Sequence, residues 1–231
     1  MDQSEQAVAQ RLLALRDPAY RRFQCRLMPT VDPAAVLGVR TPALRALARE
    51  LYGTPLGAGF MAALPHASYD ANNLHAFLIC RIGDFDTALA AVEAFLPQVD
   101  NWATCDQLRP PALGKNLPAL LARAQVWLGS GRTYTVRFGM GVLMTRFLGE
   151  AFDPAQPALV ARAAARLPDY YVRMMAAWYF ATALYKQWDA ALPWLQQRRL
   201  DPWTHNKAIR KALESRRITA AQKALLRGLQ V

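Results

Sequence analysis

The sequence is poor in cysteine. Cys25, Cys80 and Cys105 are odd in number and widely separated, with no CxxC pair and no histidine at zinc-ligand spacing. Neither a disulfide framework nor a structural zinc is expected from them. Runs of β-branched residues are nearly absent, which leaves little material for strands. The longest apolar run, Met174 to Tyr185, contains Thr182 and falls short of the roughly 20 residues needed to cross a bilayer. The N-terminus, Met-Asp-Gln-Ser-Glu-Gln, is polar and acidic, and lacks the basic start and apolar stretch of a secretory signal. Acidic residues are few: Asp+Glu 17 face Lys+Arg 28, for a net charge of +11. Lysine is scarce among the cations, with Lys115, Lys186, Lys207, Lys211 and Lys223 the only ones. These absences lead us to expect a protein of a reducing cytoplasm with no membrane partner, no cofactor and no metal.

What is present is helix. At 231 residues with 53% hydrophobic side chains, the chain can supply a continuous core. Helical periodicity predicts blocks at about Glu5–Leu15, Pro42–Tyr52, Gly57–Leu64, Asp70–Ile82, Asp84–Phe95, Trp102–Leu108 and Leu117–Leu128. It continues at Thr133–Leu148, Pro157–Arg166, Tyr170–Lys186, Trp188–Gln197, Pro202–Ser215 and Ala220–Leu229. Asp201-Pro202 is a start signal, because Asp can cap and Pro fits the first helical position; Ser68 and Asp169 stand near two other starts. The least regular segment runs from Asp17 to Val39, where Pro18, Pro29 and Pro33 interrupt any long helix. No low-complexity stretch divides the chain, so residues 1–231 read as a single domain.

Trp102, Arg137, Arg173 and Lys207 recur at separations of 35, 36 and 34 residues. That is the period of a two-helix repeat, and it lines these side chains along one edge of an α-solenoid. Tyr134-Thr-Val-Arg137, Tyr170-Tyr-Val-Arg173 and Thr204-His-Asn-Lys207 fall in the same register. A row of cations on a stack of helices can follow a nucleic-acid backbone, and arginine suits phosphate because its planar fork donates two hydrogen bonds at once. The arginine codon preference of a GC-rich genome accounts for the same bias. The segment from Arg198 to Arg227 adds a surplus of cations, although a solvated face has the same composition. His66, His75 and His205 read as too scattered for a metal, with His205 a cap or surface residue.

Trp102 and Asp106 lie four apart and share a helix face. Trp178, five residues beyond Arg173, is expected on the same inner surface. A carboxylate between aromatic faces, beside cations that hold phosphate, can stabilise a cationic sugar-like transition state and orient a water, as glycosidic cleavage demands. Each residue alone also fits a structural role: tryptophan as core, aspartate as cap, arginine as solvated surface.

Taken together, Val36-Leu-Gly-Val-Arg-Thr-Pro-Ala-Leu-Arg45, Asp100-Asn-Trp-Ala-Thr-Cys-Asp106, Tyr134-Thr-Val-Arg-Phe-Gly, Tyr170-Tyr-Val-Arg-Met-Met-Ala-Ala-Trp178 and Asn206-Lys-Ala-Ile-Arg-Lys-Ala-Leu-Glu-Ser215 resemble the HEAT-like-repeat DNA alkylation repair proteins of the AlkD type. The resemblance runs from about Pro18 to the C-terminus. It implies an all-α, C-shaped stack of helical repeats with a basic concave groove for double-stranded DNA. The implied activity is hydrolytic release of cationic N3- and N7-alkylated purines by a monofunctional glycosylase without lyase activity. By the same resemblance Trp102, Asp106 and Trp178 are catalytic and Arg137 is a groove arginine; Arg173 and Lys207, from the register, with Lys211, Arg40 and Arg45, are the other residues expected to bind nucleic acid. A bacterial, nucleoid-associated monomer is the expectation. The sequence departs from the founding members at Arg26-Leu-Met-Pro29-Thr-Val-Asp-Pro33-Ala, where two prolines break a DNA-facing helix, and so looks more like a branch that lacks it. That departure predicts nearly equal affinity for undamaged and alkylated duplex. A non-catalytic binder of duplex, branched or damaged DNA, and a protein scaffold, are the other classes that this pattern admits.

Overall fold

The structure is a computed structural model that describes residues 3–231. Met1 and Asp2, where the polar N-terminal reading begins, lie outside the described residues. Among the described residues the chain forms fourteen α-helices, three short 3-10 turns and one isolated β-bridge between Arg16 and Val39, with no strand. This is the all-α fold expected, built from helices packed as in a repeat solenoid. Contacts group the residues into two compact units, one ending at Asn116 and the other beginning at Leu117, where the sequence reads as one domain.

The first unit holds α1 (Gln3–Ala14), α2 (Pro18–Leu27), α3 (Thr41–Leu51), α4 (Pro55–Ala62), α5 (Tyr69–Ile79), α6 (Phe85–Phe95) and α7 (Trp102–Gln107). In α3 the apolar stripe Leu44, Leu47, Ala48, Leu51 repeats at helical spacing and is buried. It packs on α5, which also packs against α4, α6 and α7. All eleven residues of α5 are buried, so this helix is the axis of the unit.

Its polar side chains serve as ties. The Asp70 carboxylate accepts hydrogen bonds from the backbone N–H groups of Leu37 at 2.6 Å, Gly38 at 3.2 Å and Val39 at 2.7 Å. Burial pushes this carboxyl up, and the three donors oppose that by favouring its ionised form. Gly38 is required at this turn: its φ is +86°, and a Cβ would come 2.6 Å from that of Arg21.

Helix α2 lies inside the stretch read as irregular. Pro18 begins the helix rather than interrupting it, and Asp17 caps it by accepting from Ala19 N at 2.9 Å and Tyr20 N at 3.0 Å. The helix stops at Leu27, before Pro29, and Pro33–Ala35 is only a 3-10 turn. The prolines therefore do exclude one long helix here.

The second unit holds α8 (Leu117–Leu128), α9 (Thr133–Arg146), α10 (Gln156–Arg166), α11 (Tyr170–Lys186), α12 (Trp188–Gln196), α13 (Pro202–Glu214) and α14 (Ala220–Arg227). Helix α11 is its centre, packed between α9 and α13 and backed by α10 and α12. Asp169 and Asp201 cap α11 and α13 as the sequence predicts, accepting from Tyr171 N at 2.8 Å and Thr204 N at 3.1 Å. No helix among the described residues is long and apolar enough to cross a membrane.

Candidate functional site

Helix α7 is only six residues long, too short to stand by its own propensity. A buried polar network fixes it. Asn101 caps the helix by accepting from Thr104 N at 2.8 Å and donates through Nδ2 to Thr104 Oγ1 at 3.0 Å. Thr104 Oγ1 in turn donates to Asn73 Oδ1 of α5 at 2.9 Å, and Gln107 Nε2 donates to the same oxygen at 3.2 Å. Two side chains of one short helix thus converge on a single acceptor, which sets how α7 is rotated against α5.

Two residues singled out in the sequence ride on that rotation. Trp102 is half-buried: its Nε1 donates to the Leu27 carbonyl at 3.3 Å, and it packs on the cluster of Met28, Val31, Val36, Tyr69 and Ala103. It therefore ties α7 to the end of α2. Asp106, also half-buried, lines a cavity of about 410 Å³ with Arg45, Arg49, Arg81, Arg109, Phe77 and Cys80. Trp102 is not in that lining.

The cavity is strongly basic, with four guanidinium groups against one carboxylate in its lining. The Arg45 guanidinium lies 4.4 Å over the Phe77 ring, and that of Arg81 lies 5.5 Å over Tyr52. Burial pushes the Cys80 thiol up, while the N–H of Arg109 and the charges of Arg45 and Arg109 pull it down. Sequence reasoning finds Arg45 and Asp106 but misses Arg49, Arg81 and Arg109, which share no period with the repeat register. Arg40, the other cation expected from this unit to bind nucleic acid, is engaged differently. Its Nε and Nη2 each lie 2.8 Å from Asp17 Oδ2, and its guanidinium is 5.1 Å over Tyr20.

In the second unit the registered cations lie at different depths. Arg137 is 4% exposed, and its Nη1 donates to the Tyr171 carbonyl in the first turn of α11 at 2.8 Å. Lys207 and Lys211 are half-buried on α13. Burial pushes the Lys211 ammonium down, the charges of Lys207 and Arg137 push it further the same way, and Glu214 opposes them. Lys207 and Lys211 stand one turn apart on α13, while Arg137 is held by α11. Arg173 points elsewhere, 3.5 Å from Asp201 Oδ1 and 5.0 Å over the Trp203 ring, with its Nε buried and unpartnered. Trp178 is half-buried on α11. An aromatic edge accompanies these helices: Tyr134 meets Tyr171 at 5.7 Å, and exposed Tyr170 meets Trp203 at 5.6 Å.

The histidines correct the sequence reading. His66 Nε2 and His75 Nδ1 are 2.9 Å apart and buried, and His205 is 0% exposed rather than at the surface, its Nε2 2.7 Å from the Leu229 carbonyl. No group of three or more His, Cys, Asp or Glu side chains among the described residues is arranged to hold a metal ion. The three cysteines are free.

A family model described as DNA alkylation repair enzyme matches residues 8–212, a span that includes both units' candidate residues. No curated protein matches the chain.

Proposed function

Because the chain belongs to the DNA alkylation repair enzyme family, we propose that it is a monofunctional DNA glycosylase. It hydrolyses the N-glycosidic bond of cationic N3- and N7-alkylated purines in duplex DNA. The observation that carries this reading is Asp106, a carboxylate on the wall of a cavity otherwise charged by four arginines and presented by a helix whose rotation is fixed by hydrogen bonds. Alkylation makes the base cationic and a good leaving group, so the chemistry left to the protein is modest. Asp106 stabilises the deoxyribose cation and orients the attacking water, while Trp102, on the same helix, offers an electron-rich face worth on the order of 1 kcal/mol. Arg45, Arg40, Arg173, Lys207 and Lys211 hold backbone phosphates. Arg137 acts mainly by positioning, since its guanidinium holds the first turn of α11 and crowds Lys211.

The test is release of 3-methyladenine and 7-methylguanine from alkylated duplex. Asp106→Asn is expected to lower the rate of release at least a hundredfold while leaving the melting temperature and duplex affinity near those of the parent. Normal excision by this variant would remove Asp106 from the chemistry.

A second reading, a non-catalytic DNA binder, is favoured by Lys207 and Lys211, two half-buried cations one turn apart on α13, which suit a phosphate backbone without any reaction. Tight duplex binding by the parent with no base released from either lesion would decide for it.

A further inference from the structure

The charge of the cavity exceeds what Asp106 needs. One carboxylate faces four guanidinium groups, and among the described residues Arg45, Arg49 and Arg81 are in no ion pair with a carboxylate. The nearest acid along α3, Glu50, is paired with Arg11. Two of the guanidinium groups are held by aromatic rings instead, Arg45 over Phe77 and Arg81 over Tyr52. A ring fixes an arginine's plane without neutralising it, so the fork remains able to donate to an anion. Like charges gathered in a concavity repel one another until a counter-charge enters, and walls of low dielectric strengthen that pull. At about 410 Å³ the cavity has the size of a small-molecule site, too small for a duplex but ample for part of one strand.

We propose that the cavity of the first unit is a phosphate site for a single DNA strand, in which Arg49 and Arg81, with Arg45 and Arg109, take two negative charges beside Asp106. The charges come from consecutive phosphodiesters or from one terminal phosphomonoester at a break in the strand. Guanidinium suits either, because its paired N–H groups match two oxygens of one phosphate. This inference rests on DNA being the ligand, but not on Asp106 doing chemistry.

Arg49 and Arg81 are both exposed, so Arg49→Gln, Arg81→Gln and the double variant test it with little risk to folding, which thermal melts check. Affinity is measured against salt on three labelled duplexes: uninterrupted, nicked with a 5′-phosphate, and nicked with a 5′-hydroxyl. Each phosphate that the protein no longer neutralises lowers the slope of log affinity against log salt by about 1, so the double variant is expected to lose about 2. An equal loss on all three duplexes identifies phosphodiesters. Loss only of the preference for the 5′-phosphate nick identifies the terminal group. Unchanged slopes in a folded double variant would overturn the site, as would an equal effect of Arg162→Gln, an exposed cation of α10 that controls for net charge. Base release by Asp106→Asn is read separately, so the phosphate site and the glycosylase reading fail on different measurements.

Discussion

Tyr179 buries its phenol completely on α11, and its hydroxyl has no hydrogen-bond partner. Burial accordingly pushes that phenol well up from its usual range. A buried unsatisfied hydroxyl costs about 1–3 kcal/mol, whereas the ring keeps its edge-on packing against Phe180 whether or not the oxygen is present. Tyr179→Phe is therefore expected to stabilise the protein by on the order of 1 kcal/mol, raising the melting temperature by about 3 °C. A lowered melting temperature would mean that the oxygen bonds something in solution. Arg137 is the opposite case, a buried polar group that is well bonded. The sequence period predicts its register with Arg173 and Lys207, but period carries no information about depth, which depends on how α9 packs against α8 and α11. Arg49, Arg81 and Arg109 carry no sequence signal for a related reason. They converge from α3, from just beyond α5 and from just beyond α7, a convergence that exists only after packing.

At the level of helices, most of the fold is legible in the sequence, because apolar stripes at helical spacing and Asp or Ser caps are local signals. Helix α2 is the exception, through an inconsistency that physics resolves. Asp17-Pro18 carries the same start signal as Asp201-Pro202, a capping carboxylate before a proline whose missing N–H is not needed at the first helical position. The two further prolines nearby obscure it. The histidines are illegible because their pairing depends on how α1, α4, α5 and α6 meet. His66 stacks on Phe60 at 4.1 Å, His75 stacks on Phe95 at 4.4 Å, and Glu5 Oε1 of α1 lies 3.6 Å from His66 Nδ1. Burial, reinforced by His66, pushes His75 down to about 3 from its usual 6.5. Burial lowers His66 as well, against the pull of Glu5. Both rings are thus held neutral in the folded state. As pH falls below 6.5 the unfolded chain takes up protons that the folded one refuses, so stability is full above that pH and declines toward pH 3. The decline reaches at most about 1.4 kcal/mol per pH unit for each ring. Asp70, whose carboxyl is pushed up, contributes with the opposite sign, so a comparison isolates the histidine. His75→Asn, which keeps a polar atom near the position of Nδ1, should lose stability at pH 7 yet show a shallower fall in melting temperature from pH 7 to pH 5. Parallel curves for parent and variant would remove His75 from the pH dependence.

Across the whole molecule the net charge of +11 is distributed unevenly. The first unit concentrates part of it in the four-arginine cavity and the second sets Lys207 and Lys211 one turn apart on α13, while Arg40 and Arg173 are partly spent on carboxylates. Composition announces the total and the family match its partner, but only packing shows that, among the described residues, Arg40 and Arg173 pair with carboxylates while Arg45, Arg49 and Arg81 do not. The first unit is uneven in another respect. Every residue of α5 is buried and none of α2 is, so their backbone amides should trade hydrogen with solvent on very different timescales. Those of α5 wait for the unit to open as a whole, while those of α2 escape through local fraying. In deuterium-labelling mass spectrometry, peptides covering α5 should be the slowest in the unit and those covering α2 among the fastest; comparable rates would show that α5 is not its axis. The turn that carries Gly38 and the helix that carries Asp106 both hang from α5 side chains. Whatever reaches the cavity therefore meets a wall anchored to the last part of the unit to let go.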